Sequence, residues 1–303
     1  MALPDITLNI GPKVADNEIG RRIADFAAAG LKYLSLEPKQ LERMGNDPAY
    51  RKIMLTEAER NGIAFRDAHA PHQLENSLGC PVPDGTRMVN ESIAEAINIA
   101  GDLGITTLTI HSARTRLINE FAEKYGVYPT AELAGARERS LRSLEYLVPL
   151  AEKRGVVLAL ENLFLISSVA DVITPIVEEV AHPNLGMCYD SGHALLVESQ
   201  PGKTSDDIAE WIRIGWDDST VIFQGDQLDR MLAQVVTCHL HDNDGVNDRH
   251  WYPGDERGVA DWQHIIERLK KAPRLITLQG ELIGPLYDCE PAEIVSWFDM
   301  FKN

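Results

Sequence analysis

Eight short β-rich runs alternate with stretches of helical periodicity, and no other feature of this sequence restricts its fold as much. The runs are ITLNI (6–10), YLSLE (33–37), IAFRDAH (63–69), TTLTIHS (106–112), VVLALEN (156–162), LGMCYD (185–190), VVTCHLHD (235–242) and LITLQGE (275–281). Helices are expected at Asn17–Ala29, Leu41–Asn61, Arg87–Leu103, Ala131–Arg154, Val169–Val180, Asp261–Lys270 and Pro291–Phe301. Gly30, Gly62, Gly104 and Gly155 each stand near a helix end and just before a strand, where a helix C-terminal cap belongs. Strict alternation of this kind gives a parallel sheet covered by helices. Eight units in 303 residues match an α/β fold of the (β/α)8 TIM-barrel type, read as a single domain over 1–303. A doubly wound sheet is the alternative, but no Gly-rich phosphate loop follows the first run.

The runs also end alike. Glu37, His69, His111, Glu161, Asp190, His239 and Glu281 each lie at or near the C-terminal end of a different run. In a (β/α)8 barrel those ends converge on one mouth, where active sites form. A single strand-end histidine or carboxylate has many structural explanations. Seven converging ones do not, because crowded carboxylates repel unless a cation neutralises them. The stretch TCHLHDNDGVNDRHWYPGDERG (237–258) adds more donors directly behind an apolar run. A divalent metal site is therefore expected.

Charge and composition narrow the partners. The chain has 29 basic and 46 acidic residues, a net charge of −17, whereas phosphate contacts need Lys and Arg. Arg114 with Arg116 is the nearest approach to a basic patch, so no nucleic-acid partner is expected. Nor is a membrane partner, since nothing approaches the roughly 18 apolar residues of a spanning helix. The opening MALPDITLNIG lacks a basic start and long apolar stretch. Cys80, Cys188, Cys238 and Cys289 are widely spaced and form no CxxC pair. The expected compartment is a reducing cytoplasm.

The segments LALEN (158–162), CYDSGHA (188–194), HLHDNDG (239–245) and DRHWYPG (248–254), with the closing Glu281, resemble the xylose isomerase-like TIM-barrel superfamily. That superfamily includes sugar isomerases and epimerases, inositol-catabolism enzymes and the endonuclease IV repair enzymes. In its epimerase branch one divalent ion is held by residues corresponding to Glu161, Asp190, His239 and Glu281. Three carboxylates with one imidazole suit Mn²⁺, Mg²⁺ or Co²⁺ and tolerate Zn²⁺. The endonuclease IV branch implies two further zinc sites, one at His69 and His111 and the other at His193, Asp248 and His250. All these residues are present, so the ligand set alone does not separate the branches. The surroundings do: HAPHQLENS (69–77) lacks the DNA-wedging Tyr, HLHDND lacks the following Lys, and Leu163, Phe164 and Leu165 replace small residues.

The resemblance thus implies an isomerase or epimerase acting on a keto-sugar or cyclitol through an enediolate, with Glu161 and Glu281 as acid and base. The alternatives are an endonuclease IV-like zinc phosphodiesterase, a lyase or dehydratase on a keto-sugar, and a non-catalytic metal-binding barrel. His193 is expected to hold a substrate oxygen or to orient Asp190, and His241 to contact substrate or add a ligand. Trp251 is expected either to wall the pocket or to pack, and Glu37 either to contact substrate or to meet solvent. His72, His182 and His264 read as surface or loop residues, and Asp242 and Asp244 as loop caps. Insertions are expected at about 114–130 and 197–232, the latter with a helix over DDIAEWIRI (206–214). An insertion there would serve as a lid or as a contact in a homo-oligomer.

Overall fold

The computed structural model describes residues 2–73, 77–81, 84–112 and 129–302. Eight parallel strands form a closed barrel in chain order, with β8 returning to pair with β1. They are β1 Ile6–Leu8, β2 Tyr33–Leu36, β3 Ala64–His69, β4 Thr107–Ile110, β5 Val157–Glu161, β6 Leu185–Asp190, β7 Val235–Leu240 and β8 Leu278–Gly280. Each lies within its expected run. Strands β4, β6 and β7 are buried along their whole length, because a covered parallel sheet leaves neither face to water.

The outer helices are α1 Ile19–Ala28, α2 Pro38–Asn46, α3 Pro48–Arg60, α4 Gly85–Asp102, α5 Pro129–Arg154, α6 Ala170–Val180, α10 Trp262–Leu269 and α11 Pro291–Ser296; α7 to α9 lie in the β6–β7 connection. The four expected cap glycines all take φ between 67° and 91°. The helix expected over Leu41–Asn61 is in fact two. Pro48 has no N–H to give the preceding turn, and the Asp47 side chain caps a new helix by accepting from the N–H groups of Ala49 and Tyr50. Likewise the last helix stops at Ser296 and is followed by a 3₁₀ turn at Asp299–Phe301.

Inside the barrel, one polar layer underlies the mouth. Asp67 on β3 accepts the hydroxyls of Thr107 on β4, Thr237 on β7 and Thr277 just before β8. Thr277 also lies 2.7 Å from Thr237 and 2.9 Å from Thr107. Burial raises the Asp67 pKa, opposed by the nearby His239 and by the hydrogen bonds from the three threonines. Two residues further along the strands, His69, Thr109 and His239 point to the same side as this layer and form the next one up. There Thr109 Oγ1 lies 3.3 Å from His239 Nε2.

The β6–β7 connection contains α7 Ser191–Val197, a 3₁₀ turn at Ser205–Asp207, α8 Glu210–Arg213, a second 3₁₀ turn at Asp217–Ser219 and α9 Gln227–Met231. The expected helix over 206–214 is thus reduced to a 3₁₀ turn and the single turn α8. The segment has its own small core, in which Ile208, Ile212, Trp216 and Val221 pack on Ile166, Val169, Leu196 and Val197. The other expected insertion, about 114–130, falls almost wholly on residues 113–128, outside the described residues. Among the described residues no helix is long and apolar enough to cross a membrane.

Glu198 ties the connection together: its Oε1 accepts the Gln227 N–H at 2.7 Å. Burial pushes its carboxyl up to about 7. A raised acid contributes stability that is complete below its unfolded value, about 4.3, and is lost as pH rises through the folded value. Glu198→Gln keeps the acceptor and removes the titration. Urea midpoints should therefore show the variant gaining on the wild type by up to about 3 kcal/mol between pH 5 and pH 8. Equal pH dependence in the two proteins would contradict this.

Candidate metal centre

The barrel brings the strand-end residues together. Glu161, Asp190, His239 and Glu281, from β5, β6, β7 and the position just after β8, present ligand-type atoms all within 4.8 Å of one another. Their positions are fixed locally. Asn162 Nδ2 donates to the Asp190 carbonyl (3.0 Å), and the Asp190 N–H donates to Asn162 Oδ1 (2.7 Å), which locks β5 to β6 at the mouth. Asp190 Oδ1 then caps α7 by accepting the His193 N–H at 2.7 Å. Ser191 Oγ donates to the His241 carbonyl at 2.7 Å, joining β6 to β7. Gly192 is required here, because a Cβ would lie 2.0 Å from the His241 ring.

Two further groups flank this cluster. His69, His111 and Glu161 form one; His193, His241, Asp248 and His250 form the other. Glu161 belongs to both the central and the first group. Its Oε1 lies 3.0 Å from His239, while its Oε2 lies 2.7 Å from His111 and 3.2 Å from His69. Three of the histidines are oriented alike by the backbone. The Nδ1–H groups of His69, His193 and His250, assigned from their partners, donate to the carbonyls of Ala70 (2.7 Å), Asn162 (3.0 Å) and Glu281 (3.2 Å). That leaves each Nε2 directed at the carboxylates, as in histidines that bind metal. His250 also adopts a φ of +51°, a conformation costly for a residue with a Cβ and frequent at functional sites.

The electrostatics follow from crowding. Burial opposes charge on Glu161 and Glu281, yet the facing histidines hold both carboxyls well below the usual range. Burial likewise opposes charge on His239 and His250, but neighbouring acidic groups hold both rings well above the usual imidazole value. His193 is raised to about 10, with Asp190 and Asp248 outweighing its burial. Glu281 Oε2 is buried and has no hydrogen-bond partner among the described residues, facing the His239 and His250 rings across 3.3 and 3.7 Å. Three carboxylates, backbone-oriented imidazoles and this orphaned oxygen fit a divalent cation.

The centre opens into a cavity of about 250 Å³. Glu161, Glu281, His69, His111, His193, Asp248 and His250 line it, together with the apolar Leu163, Phe164, Leu165 and Trp211. Glu37 lines it too, its carboxyl raised by burial and then by Glu281. His72, read as a surface or loop residue, lies in the loop after β3 and lines the cavity, with its ring edge-on to His69 at 5.1 Å. His241 does not line the cavity. It is fully buried behind the ligands, with Nε2 3.0 Å from Asp190 and its ring stacked 3.8 Å from that of His250. Trp251 is absent from the wall as well, because its backbone pairs with Asp242 and its indole lies under the Arg257 guanidinium at 4.2 Å. The indole that does line the cavity is that of Trp211, beside Phe164. His182 and His264 are outlying, and Asp242 and Asp244 cap their loop as expected.

Comparison with known proteins agrees with this architecture. The family described as xylose isomerase-like TIM barrel matches residues 23–278. A 3-keto-D-glucoside 4-epimerase structure from E. coli is similar at a TM-score of 0.67 and 14% identity, covering 99% of this chain and 98% of that one. A structure of the IolI protein with a zinc atom gives 0.65 and 15%, covering 98% and 96%. The TTHB071 protein of Thermus thermophilus, soaked with ZnCl2, gives 0.62 and 20%, covering 98% of each chain. At these identities the likeness is one of fold. An uncharacterized protein of Methanocaldococcus jannaschii, MJ1311, is 25% identical over 190 residues, 61% of this chain. The match spans 53%, about half, of that relative's length.

Because the carboxylates hold protons on the surrounding imidazoles, binding a divalent cation should release protons. Titration of chelator-treated protein with Mn²⁺ or Zn²⁺ should show affinity tightening by about tenfold or more from pH 6 to pH 8. Asp190→Asn should weaken binding at both pH values. Affinity indifferent to pH and to this substitution would remove Asp190 from the ligand set.

Proposed function

Because the chain belongs to the xylose isomerase-like TIM-barrel family, we propose that it is a divalent-metal-dependent isomerase or epimerase acting on a keto-sugar or cyclitol. The observation that carries this reading is the cavity: about 250 Å³, lined by carboxylates and imidazoles as well as apolar side chains, with Glu161 and Glu281 both on its wall. That suits a small polyol better than a polymer strand, and a net charge of −17 disfavours a polyanion.

Glu161, Asp190, His239 and Glu281 would hold the ion, with Mn²⁺, Mg²⁺, Co²⁺ or Zn²⁺ as candidates for this donor set. When bound, a divalent cation supplies charge that stabilises the enediolate left after a proton is taken from the carbon next to a carbonyl. The chain supplies the proton transfer. Glu281 has an oxygen free of hydrogen bonds beside the cavity and acts as base or acid, while Glu161 serves the opposite role. His193, fixed by its bond to the Asn162 carbonyl, directs Nε2 inward to hold a substrate oxygen.

A second reading, a zinc phosphodiesterase of the endonuclease IV type, is favoured by one specific observation: both flanking histidine groups are assembled beside the central one. The two readings part on stoichiometry and on substrate. The sugar enzyme should retain one tightly bound ion per chain and leave duplex DNA with an abasic site intact; three zinc ions with efficient nicking would establish the other.

Incubation with ketoses, keto-sugars and inosose in D₂O should place deuterium on the carbon next to the carbonyl. In Glu281→Gln, exchange should fall by about 10²- to 10⁴-fold while substrate affinity changes little. Metal content is measured in the same variant, since loss of the ion alone would mimic the effect. A variant that keeps its metal and exchanges at the wild-type rate would make Glu281 a ligand only.

A further inference from the structure

We infer that Trp211, delivered to the cavity by the β6–β7 connection, is a specificity residue that stacks on the bare C–H face of a ring-form substrate. The inference rests on the proposed reading of the cavity as a sugar or cyclitol site, and adds to it the form in which the substrate is bound.

Trp211 is the first residue after Glu210 in the one-turn helix α8, and its side chain lines the same cavity as Glu161 and Glu281. It remains 39% exposed, a large apolar surface left open at the rim. Its position is nonetheless fixed. The indole Nε1–H donates to Asn247 Oδ1 at 3.2 Å, and the ring meets Phe164 edge-on at 5.3 Å. Phe164 in turn meets the His193 ring edge-on at 5.2 Å. The chain of rings therefore runs from the rim to the side chain that faces the acid pair.

The connection acts as a clasp on two loops. Toward the β5–α6 loop, the buried Trp216 donates Nε1–H to the Phe164 carbonyl at 2.9 Å. Toward the loop that carries Asp248 and His250, the Ala209 N–H donates to the Val246 carbonyl at 3.1 Å, next to the bond from Trp211 to Asn247. One segment thus holds both the loop of Phe164 and the loop of Asp248 and His250. A cavity lined by an indole as well as by carboxylates and imidazoles fits a ring whose one face is bare C–H and whose edge presents adjacent oxygens. An open-chain ketose offers no such flat face to an indole. The structure accordingly favours an in-ring carbonyl compound or cyclitol over an extended chain.

The test uses the full-length, metal-loaded protein and needs no turnover. Indole fluorescence is followed while myo-inositol, inosose and cyclic methyl glycosides are added, in wild type and in Trp211→Phe. The expected result is a saturable change in the wild type that is lost in the variant. With whichever compound exchanges deuterium, Trp211→Ala should raise KM about tenfold or more while changing kcat far less. Trp211→Phe should recover most of that loss, and metal content should stay at the wild-type level in both. Absence of any fluorescence change in the wild type, or an unchanged KM in Trp211→Ala, would overturn the stacking role. Deuterium exchange by such a protein would still leave the proposed reaction standing, whereas stacking without exchange would sink the reaction and leave the binding site.

Discussion

The two oxygens of Glu161 face different histidines, and the rest of the mouth is organised around that division. One oxygen lies 3.0 Å from His239 in the central cluster, and the other 2.7 Å from His111 in the flanking group. A carboxylate so placed, with Asp190 and Glu281 among its neighbours, is tolerable only if positive charge is gathered round it. The imidazoles provide that charge as protons, and a divalent cation would provide it more compactly. Backbone carbonyls at Ala70, Asn162 and Glu281 then dictate which ring nitrogen each histidine offers. The geometry of the centre is therefore held by main-chain groups at and just beyond the strand ends.

Beneath the centre the barrel stays polar where hydrocarbon would be the simpler filling. Asp67 and its three threonines hydrogen-bond across β3, β4, β7 and the entry to β8, joining strands that are not neighbours. A buried network of that kind is costly wherever a member lacks a partner, and the three hydroxyls together supply the donors for Asp67 Oδ2. It also places hydroxyls rather than methyls below His239, whose Nε2 reaches the Thr109 hydroxyl at 3.3 Å.

Much of this was legible in the sequence, for physical reasons that also mark the limits. Strands buried on both faces must be apolar, and helices between them must carry periodic stripes, so the barrel followed from alternation. The convergence of the carboxylates and histidines followed from strand ends, since position along a strand fixes depth in the barrel. Side chains borne by loops were harder. Trp251 directly follows the Asp-Arg-His stretch, yet its main chain pairs with Asp242 and turns the indole toward Arg257. Trp211 has no such neighbours in sequence, and only the fold of a connection with irregular turns carries it to the cavity. His72 lies three residues past a strand, in a loop whose course no periodicity announces. His241 shares a strand face with His239, but α7, entering at the tight Gly192, covers it. The break at Asp47–Pro48 was readable, since Asp before Pro is a helix start; the continuous apolar pattern around it masked the signal.

The barrel closes through β8 pairing with β1, a contact between Thr7 and Leu278 that spans 271 positions of the chain. Glu281 stands immediately beyond that closing strand. β8 pairs with β7 as well as with β1, and the Glu281 N–H donates to the Leu240 carbonyl at 3.3 Å, so the last carboxylate is placed when the end of the chain joins the sheet. Long-range pairings of this sort form late, because loop closure must precede the contacts that reward it. The four-residue cluster is consequently complete only once β8 is in the sheet, so its assembly is tied to the completion of the fold.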